Sequence, residues 1–370
     1  MQEVLLIRSI EIFRLTIPME PFVIATETCD AAKNIYIRIH TNKGITGVGE
    51  CSPFPMLVGE TQDTCFYIGK DLAAICIGKN ALEIENRLNE LDAYVAANTT
   101  IKSAFDMALH DIAAKHEGKP LYQWLGGSKK SIQTDLTIGI NSPDEMARTA
   151  IEFVNNGVQI IKVKLGKNGK EDIVRVRKIR EAVGNEILLR LDANQGWDFE
   201  TAKETLQAVE PFNIQFCEQP MRKHLDPLLP SLRKAVKIPI MADESVFNHY
   251  DAARIIESNS CDYINIKLAK SGGILEAKRI ADLAQQHNIK CMLGGMVESR
   301  LALTAKLHFA RSHSNICFYD LDTCMLGHLA DPVLGGVRFN QFYLDTDDVP
   351  GIGADIDPEF LHNAEHITIN

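Results

Sequence analysis

Proline is scarce in this chain, at 14 of 370 residues, which argues against a linker-rich or disordered polypeptide. No Cys-x-x-Cys pair occurs among the nine cysteines, and their number is odd. Several of them (Cys217, Cys261, Cys291, Cys317) fall inside apolar strand candidates, so they read as buried thiols of a reducing, cytoplasmic protein. No apolar run is long enough to span a bilayer, which excludes a membrane partner. The opening Met1-Gln2-Glu3 leads straight into strand-like alternation, so no export signal is expected. The net charge is -10, and Lys and Arg are dispersed without a basic stripe, which excludes nucleic acid as a partner.

What is present is ordinary for a protein with a full hydrophobic core, 45% apolar and 24% charged. The length suits a barrel of roughly 200 to 250 residues plus a smaller domain. Residues 7 to 50 alternate with period two, as in Ile35, Ile37 and Ile39, and predict an antiparallel meander. Pro18 to Asp30 and Cys51 to Glu60 read as loops. Residues 60 to 125 turn helical, with Ala104, Phe105, Ala108, Leu109 and Ile112 on one face.

From Asp135 the pattern becomes short β-branched runs followed by amphipathic helices. Eight such runs are expected: 136–138, 160–165, 187–191, 214–217, 238–242, 263–266, 291–293 and 316–319. No clear helix follows the last. The pattern predicts an α/β fold, a modified TIM barrel of the (β/α)7β type with an α+β capping domain. The expected divisions are a capping domain over residues 1–127, the barrel over 128–345, and a tail, 346–370, packing back on the capping domain.

Active sites of such barrels lie at the C-terminal ends of the strands, so the polar residues closing each run matter most. Strand two carries Lys162 and Lys164, three ends at Asp192, four at Glu218, five at Asp243, six at Lys267, and eight at Asp320-Leu321-Asp322. One carboxylate at a strand end is usually a solvated charge. Three on consecutive strand ends repel one another unless a cation sits where they converge. An all-oxygen ligand set selects Mg²⁺, with Mn²⁺ as the alternative, over zinc. Strands two and six oppose each other in an eight-stranded ring, which sets Lys164 and Lys267 across the metal from one another. Lys162, two residues from Lys164, shares its face and is expected to depress its pKa. Ion pairing with the three acids is the other role open to these lysines.

The motifs Lys162-x-Lys164, Asp192-Ala193-Asn194, Glu218-Gln219-Pro220, Ala242-Asp243-Glu244-Ser245 and Asn265-Ile266-Lys267 resemble the enolase superfamily, in its muconate lactonizing enzyme subgroup. Ser103 to Asp111 through Leu125-Gly126-Gly127 resembles the join between that family's two domains. The resemblance implies capping loops around Phe22 to Thr28 and Ser52 to Glu60 closing over a Mg²⁺-bound carboxylate, and abstraction of the proton α to it. It implies Asp192, Glu218 and Asp243 as metal ligands, Lys164 and Lys267 as the acid and base pair, and Lys162 as a stabiliser of the enolate charge. Asn194 and Glu298 are expected to support these residues from behind. A homo-oligomer is also implied. The family's His base after strand seven is replaced here by Gly294-Gly295-Met296-Val297-Glu298, which disfavours sugar-acid dehydration.

The same lysine pair serves several reactions in that subgroup. Asp320 and Asp322 resemble the pair with which dipeptide epimerases hold a substrate's amino terminus, and two carboxylates there suit a free ammonium group. The expectation is therefore a dipeptide substrate inverted at its C-terminal residue. N-acylamino acid racemisation and o-succinylbenzoate synthesis are the alternatives, and a non-catalytic peptide receptor the remote one. Ile24, Ala25, Thr26, Thr137 and Met296 are expected to line the substrate pocket. Glu27 stands where Ala-Glu epimerases carry an Arg, which points to Ala-Xaa with a small neutral or aliphatic second residue, Ala-Ala included. A cationic second residue pairing with Glu27 is the other option.

Overall fold

The computed structural model describes residues 4–26 and 28–370. Three strands, Ile7–Val23, Thr28–Thr41 and Thr46–Cys51, form an antiparallel sheet in sequence order. The last strand, His366–Ile369, joins its edge through the Ile10–Ile369 and Ile12–Ile367 pairs. Ile10, Ile12, Ile35, Ile37 and Ile39 are fully buried in one cluster with Phe66 and Leu72 of the helix Gln62–Cys76 and Phe105 and Leu109 of the helix Thr99–His116. The second helix lies directly on the third strand. A Cβ at Gly49 would stand 2.0 Å from the Ala104 carbonyl oxygen, so only glycine fits.

Pro18 to Asp30, expected as loop, is strand as far as Val23 and again from Thr28. The terminal strand pairs only as far as Phe13, and beyond it the segment 327–329 bridges the same edge, the Leu329 N–H donating to the Pro18 carbonyl at 2.9 Å and the Glu20 N–H to the Gly327 carbonyl at 2.8 Å, bonds that do not use the N–H that Pro18 lacks. A register shift between Pro18 and Phe22 takes up the irregularity.

Eight parallel strands follow: Leu136–Ile138, Ile160–Lys164, Leu188–Asp192, Ile214–Glu218, Ile240–Ala242, Tyr263–Ile266, Lys290–Gly294 and Ile316–Asp320, hydrogen-bonded in sequence order. Helices follow the first seven, and a 3-10 turn and short strands follow the eighth, giving the (β/α)7β barrel. The first and eighth strands meet where the Asp135 N–H donates to the Tyr319 carbonyl at 3.3 Å and the Leu321 N–H to Thr134 Oγ1 at 2.8 Å. Phe216, Met241 and Met292 fill the interior together with Tyr263 and Phe318. With no eighth helix over the outer side of the last strand, Cys317 is exposed, contrary to the expectation of a buried thiol. Cys51, Cys65, Cys76, Cys217, Cys261 and Cys291 are buried, and no cysteine is in a disulfide.

Three buried acids of the capping domain hold backbone N–H groups of the rest of the chain. Asp106 accepts from Ile274 and Leu275 at the start of the helix Ile274–Gln286, and Asp111 from Ile352 at 2.7 Å. Glu50 accepts from the Ser299 N–H and hydroxyl and the Ala302 N–H, at the start of the helix Arg300–Ser312. The carboxylates satisfy the donors that a helix N-terminus leaves unpaired. Glu50→Ala strips those donors of their acceptor, and a loss of about 3 kcal/mol is expected, read as a lower midpoint in urea with the slope unchanged.

Candidate active site

Side chains alternate inward and outward along each barrel strand, so Arg190 and Asp192 share the inner face, as do Phe216 with Glu218 and Phe318 with Asp320. The lower residue of each pair fills the barrel, the Arg190 guanidinium lying 5.3 and 5.5 Å from the Phe216 and Phe318 ring centres. The upper residue faces the mouth. Lys164 pairs in register with Asp192, and Asp192 with Glu218, so three neighbouring strands deliver their charged ends to one place. Asp243 and Lys267 each follow directly on the end of their strands, Ile240–Ala242 and Tyr263–Ile266.

The Lys162 Nζ stands at the centre of this group, 2.7 Å from Glu218 Oε2, 2.7 Å from Asp320 Oδ2 and 3.0 Å from Asp192 Oδ2. Lys164 Nζ donates to Asp192 Oδ2 at 2.7 Å, and Lys267 Nζ to Asp243 Oδ2 at 2.7 Å. Both lysines are thus ion-paired, on acids that flank Glu218. Burial alone would depress the Lys162 ammonium, but Asp192, Asp320 and Glu218 hold it well above the ordinary lysine range. Lys267 is raised in the same way, by Asp243 and Glu218 against burial. Burial and the charge of Asp192 push Glu218 up to about 7, and burial and Asp243 push Glu244 up to about 8.

Among the described residues, seven buried acids (Asp135, Asp192, Glu218, Asp243, Glu244, Asp320, Asp322) thus stand in or just below the barrel mouth with five buried cations (Lys162, Lys164, Arg190, Lys267, Lys270). With every acid ionised, two positive charges are lacking. Glu244 Oε2, Asn194 Oδ1 and Asn265 Oδ1 are also buried without a hydrogen-bond donor, and Glu218 Oε2 has only the shared Lys162 ammonium at 2.7 Å. Unsatisfied oxygens with a deficit of two charges fit a divalent cation on Asp192, Glu218 and Asp243.

Asn194 takes the left-handed conformation, φ 41°, and its backbone N–H donates to Asp192 Oδ1 at 2.9 Å. Glu298 is buried against Lys306 and accepts from the Met296 N–H at 2.6 Å, while Thr323 Oγ1 donates to the Met296 carbonyl at 3.0 Å. Met296 is thereby fixed beside the end of strand eight. Thr137 is buried, and its N–H donates to Asp322 Oδ2 at 2.7 Å, so that carboxylate also bridges the first strand to the eighth.

The first capping loop reaches the mouth from above. Val23 accepts a hydrogen bond from the Ile140 N–H at 2.9 Å, and a Cβ at Gly166 would lie 3.1 Å from the Ala25 Cβ, so the loop crosses the ends of strands one and two. Ile24 is buried and Thr26 half-buried there, whereas Glu27 lies outside the described residues. The second loop is pinned at both ends: Ser52 Oγ accepts from the Val297 N–H at 3.3 Å, and Glu60 from the Thr100 N–H at 2.9 Å.

Four contributors carried no assigned role in the sequence reading. Lys270 is wholly buried, with Nζ 2.7 Å from Asp243 Oδ1 and 2.6 Å from the Asp243 carbonyl. Asn265 donates to Glu218 Oε1 at 2.6 Å. Asp135 pairs with Arg190 at 2.7 Å, and Glu244 lies buried beside Asp243. The available signals were spacings: Asp135 is two residues before Thr137, and Lys270 three after Lys267.

Comparison with known proteins meets this geometry. Residues 7–126 match the N-terminal domain of mandelate racemase and muconate lactonizing enzyme, and 145–360 match the enolase C-terminal domain-like family. The chain belongs to the enolase superfamily. Within that superfamily it is 45% identical over 369 residues, 99% of this chain and 100% of the relative, to a D-Ala-D/L-Ala epimerase of Cytophaga hutchinsonii. The crystal structure of a dipeptide epimerase from the same organism, complexed with Mg and D-Ala-L-Val, superposes with a TM-score of 0.97 and covers 99% of this chain and 100% of that one. A dipeptide epimerase of Enterococcus faecalis V583, complexed with Mg and L-Leu-L-Tyr, is 36% identical with a TM-score of 0.92, over 95% of this chain and 99% of that one. Among the described residues of this superfamily member, no helix is long and apolar enough to cross a membrane.

Proposed function

We propose that this isomerase is a Mg²⁺-dependent dipeptide epimerase that inverts the α-carbon of the C-terminal residue of Ala-Xaa dipeptides. Xaa is small and neutral or aliphatic, Ala-Ala included. The observation that carries this reading is the pair Asp320 and Asp322, buried at the mouth at and just beyond the end of the eighth strand, in a site whose lysines lie on either side of Glu218. A free ammonium group supplies a second cation beside Lys162, whose charge Asp320 shares with Asp192 and Glu218. The N-acyl substrates of a racemase and the precursor of succinylbenzoate have none.

Asp192, Glu218 and Asp243 would hold Mg²⁺, with Mn²⁺ as a substitute. When bound, the ion would polarise the substrate carboxylate and offset the negative charge of Asp192 and Asp243, with which Lys164 and Lys267 are paired. One of these lysines, as the free amine, removes the α-proton of the second residue, and the other, as ammonium, returns a proton to the opposite face. Lys162 keeps its charge beside Asp192, Glu218 and Asp320 and offsets the charge that develops on the substrate carboxylate. Ile24, Thr26 and Met296 line the space for the side chain, and Thr137 fixes Asp322. The similarity to a D-Ala-D/L-Ala epimerase supports a small second residue.

Turnover of Ala-Ala against N-acetyl-Ala-Ala and N-acetylated amino acids tests this reading. Free Ala-Ala is expected to be epimerised with the acetylated forms inert. Turnover confined to N-acyl compounds would end the epimerase reading. Asp322→Asn is expected to raise KM for Ala-Ala roughly thirtyfold or more with a smaller change in kcat, because a buried charge contact is lost in ground and transition state alike.

A further inference from the structure

A third buried acid lies beside Asp320 and Asp322. Asp135 stands one residue before the first barrel strand, and its carboxylate joins theirs in a cluster whose oxygens fall within 4.8 Å of one another. Each acid has one oxygen fixed at 2.7 Å: Asp320 Oδ2 by the Lys162 ammonium, Asp322 Oδ2 by the Thr137 N–H, and Asp135 Oδ2 by the Arg190 guanidinium. Asp135 Oδ1 is buried and has no hydrogen-bond partner among the described residues. Three acids face two cations here, and both cations are shared. Lys162 also serves Asp192 and Glu218, and Arg190 also donates to Gln215 Oε1 and the Tyr319 carbonyl. The pocket therefore offers a buried, unfilled carboxylate oxygen beside cations that are already shared. Burial and the charge of Asp320 push the Asp135 carboxyl up to about 7.

We infer that Asp135 is the third carboxylate of a receptor for one small monovalent cation, which takes the substrate's ammonium group or, without substrate, an inorganic ion such as K⁺ or NH₄⁺. The first half of this rests on the dipeptide reading of the same site; the second does not. A primary ammonium has three donors to set against three carboxylates, and an ion of the same charge and similar size satisfies the same oxygens. Asp135 acts on specificity: it raises the penalty for any substrate that brings a neutral nitrogen, because the unfilled charge stays buried. NH₄⁺ and K⁺ therefore compete with the dipeptide. At ten times its dissociation constant the ion raises the apparent KM about tenfold and leaves kcat alone.

The test is Tl⁺ binding to the Mg²⁺-saturated protein by equilibrium dialysis, with ionic strength held by tetramethylammonium chloride, beside the kinetics of Ala-Ala with added NH₄Cl. The expected result is one Tl⁺ per chain, displaced by K⁺, NH₄⁺ and Ala-Ala but not by tetramethylammonium. Asp135→Asn, which keeps an acceptor for Arg190, should weaken Tl⁺ binding about tenfold or more and abolish the NH₄⁺ effect on KM. Should that variant not fold, Asp135→Glu retains the charge and is expected to shift the preference among K⁺, NH₄⁺ and Tl⁺. An enzyme that epimerises Ala-Ala yet binds no Tl⁺ overturns the inference and leaves the dipeptide reading standing. Tl⁺ bound but untouched by Ala-Ala, with no epimerisation, supports the cation site and removes the dipeptide reading. Tl⁺ bound equally well by folded Asp135→Asn and Asp135→Glu removes Asp135 from the receptor.

Discussion

Lys267→Ala is expected to lower epimerisation of Ala-Ala by about a thousandfold or more while leaving one half of the reaction intact. In the proposed mechanism the two lysines meet the α-carbon from opposite faces, so a protein with Lys164 alone would remove and return a proton only on its own side. In D₂O it should exchange the α-proton of one Ala-Ala diastereomer and leave the other untouched. Lys164→Ala should show the reverse choice. The structure indicates that both variants keep their architecture. Without Lys267, Asp243 retains Lys270 at 2.7 Å, and without Lys164, Asp192 retains Lys162 at 3.0 Å and the Asn194 N–H at 2.9 Å. Exchange of both diastereomers by either single variant would mean that one group serves both faces, contrary to the two-lysine account.

Removing the divalent cation is expected to have an effect of the same size. Among the described residues, the barrel mouth and the layer beneath it hold seven buried acids against five buried cations, and that imbalance is tolerable only with a further two positive charges or with acids that take up protons. Chelation should therefore abolish α-proton exchange, and Mg²⁺ or Mn²⁺ should restore it. The loaded protein should also melt higher, by about 2.7 kcal/mol of added stability at a hundredfold excess over the dissociation constant. Glu218→Gln tests the ligand assignment directly. The amide keeps the acceptor that Asn265 uses and discards the charge, so calorimetric Mg²⁺ affinity should fall at least about tenfold with the fold retained. Unchanged affinity would place the ion elsewhere.

Much of this site is legible in the sequence because a parallel barrel converts spacing into position. Asp192, Glu218, Asp243 and Lys267 recur once per strand-helix unit, and each strand delivers its terminal residue to the same rim. What spacing does not show is contact between residues that topology brings together from far apart. Glu50 and Ser299 are 249 positions apart, and Asp106 and Ile274 are 168 apart, so the clasps between capping domain and barrel have no local pattern. Lys270 was hidden for a different reason: it reads as one more charge in a helical turn, and only its complete burial against Asp243 sets it in the site. Pro18 points in the opposite direction, because a proline that normally marks a loop sits in a strand whose outer-edge bonds use its carbonyl and the Glu20 N–H rather than the N–H it lacks.

Incubation of Ala-Ala with the Mg²⁺-loaded protein in D₂O, followed by proton NMR, tests the central claim most directly. Deuterium should enter at the α-carbon of the C-terminal residue alone, with both configurations appearing at that centre and the N-terminal residue unchanged. No deuterium at that carbon, or deuterium at the N-terminal α-carbon instead, would contradict the account.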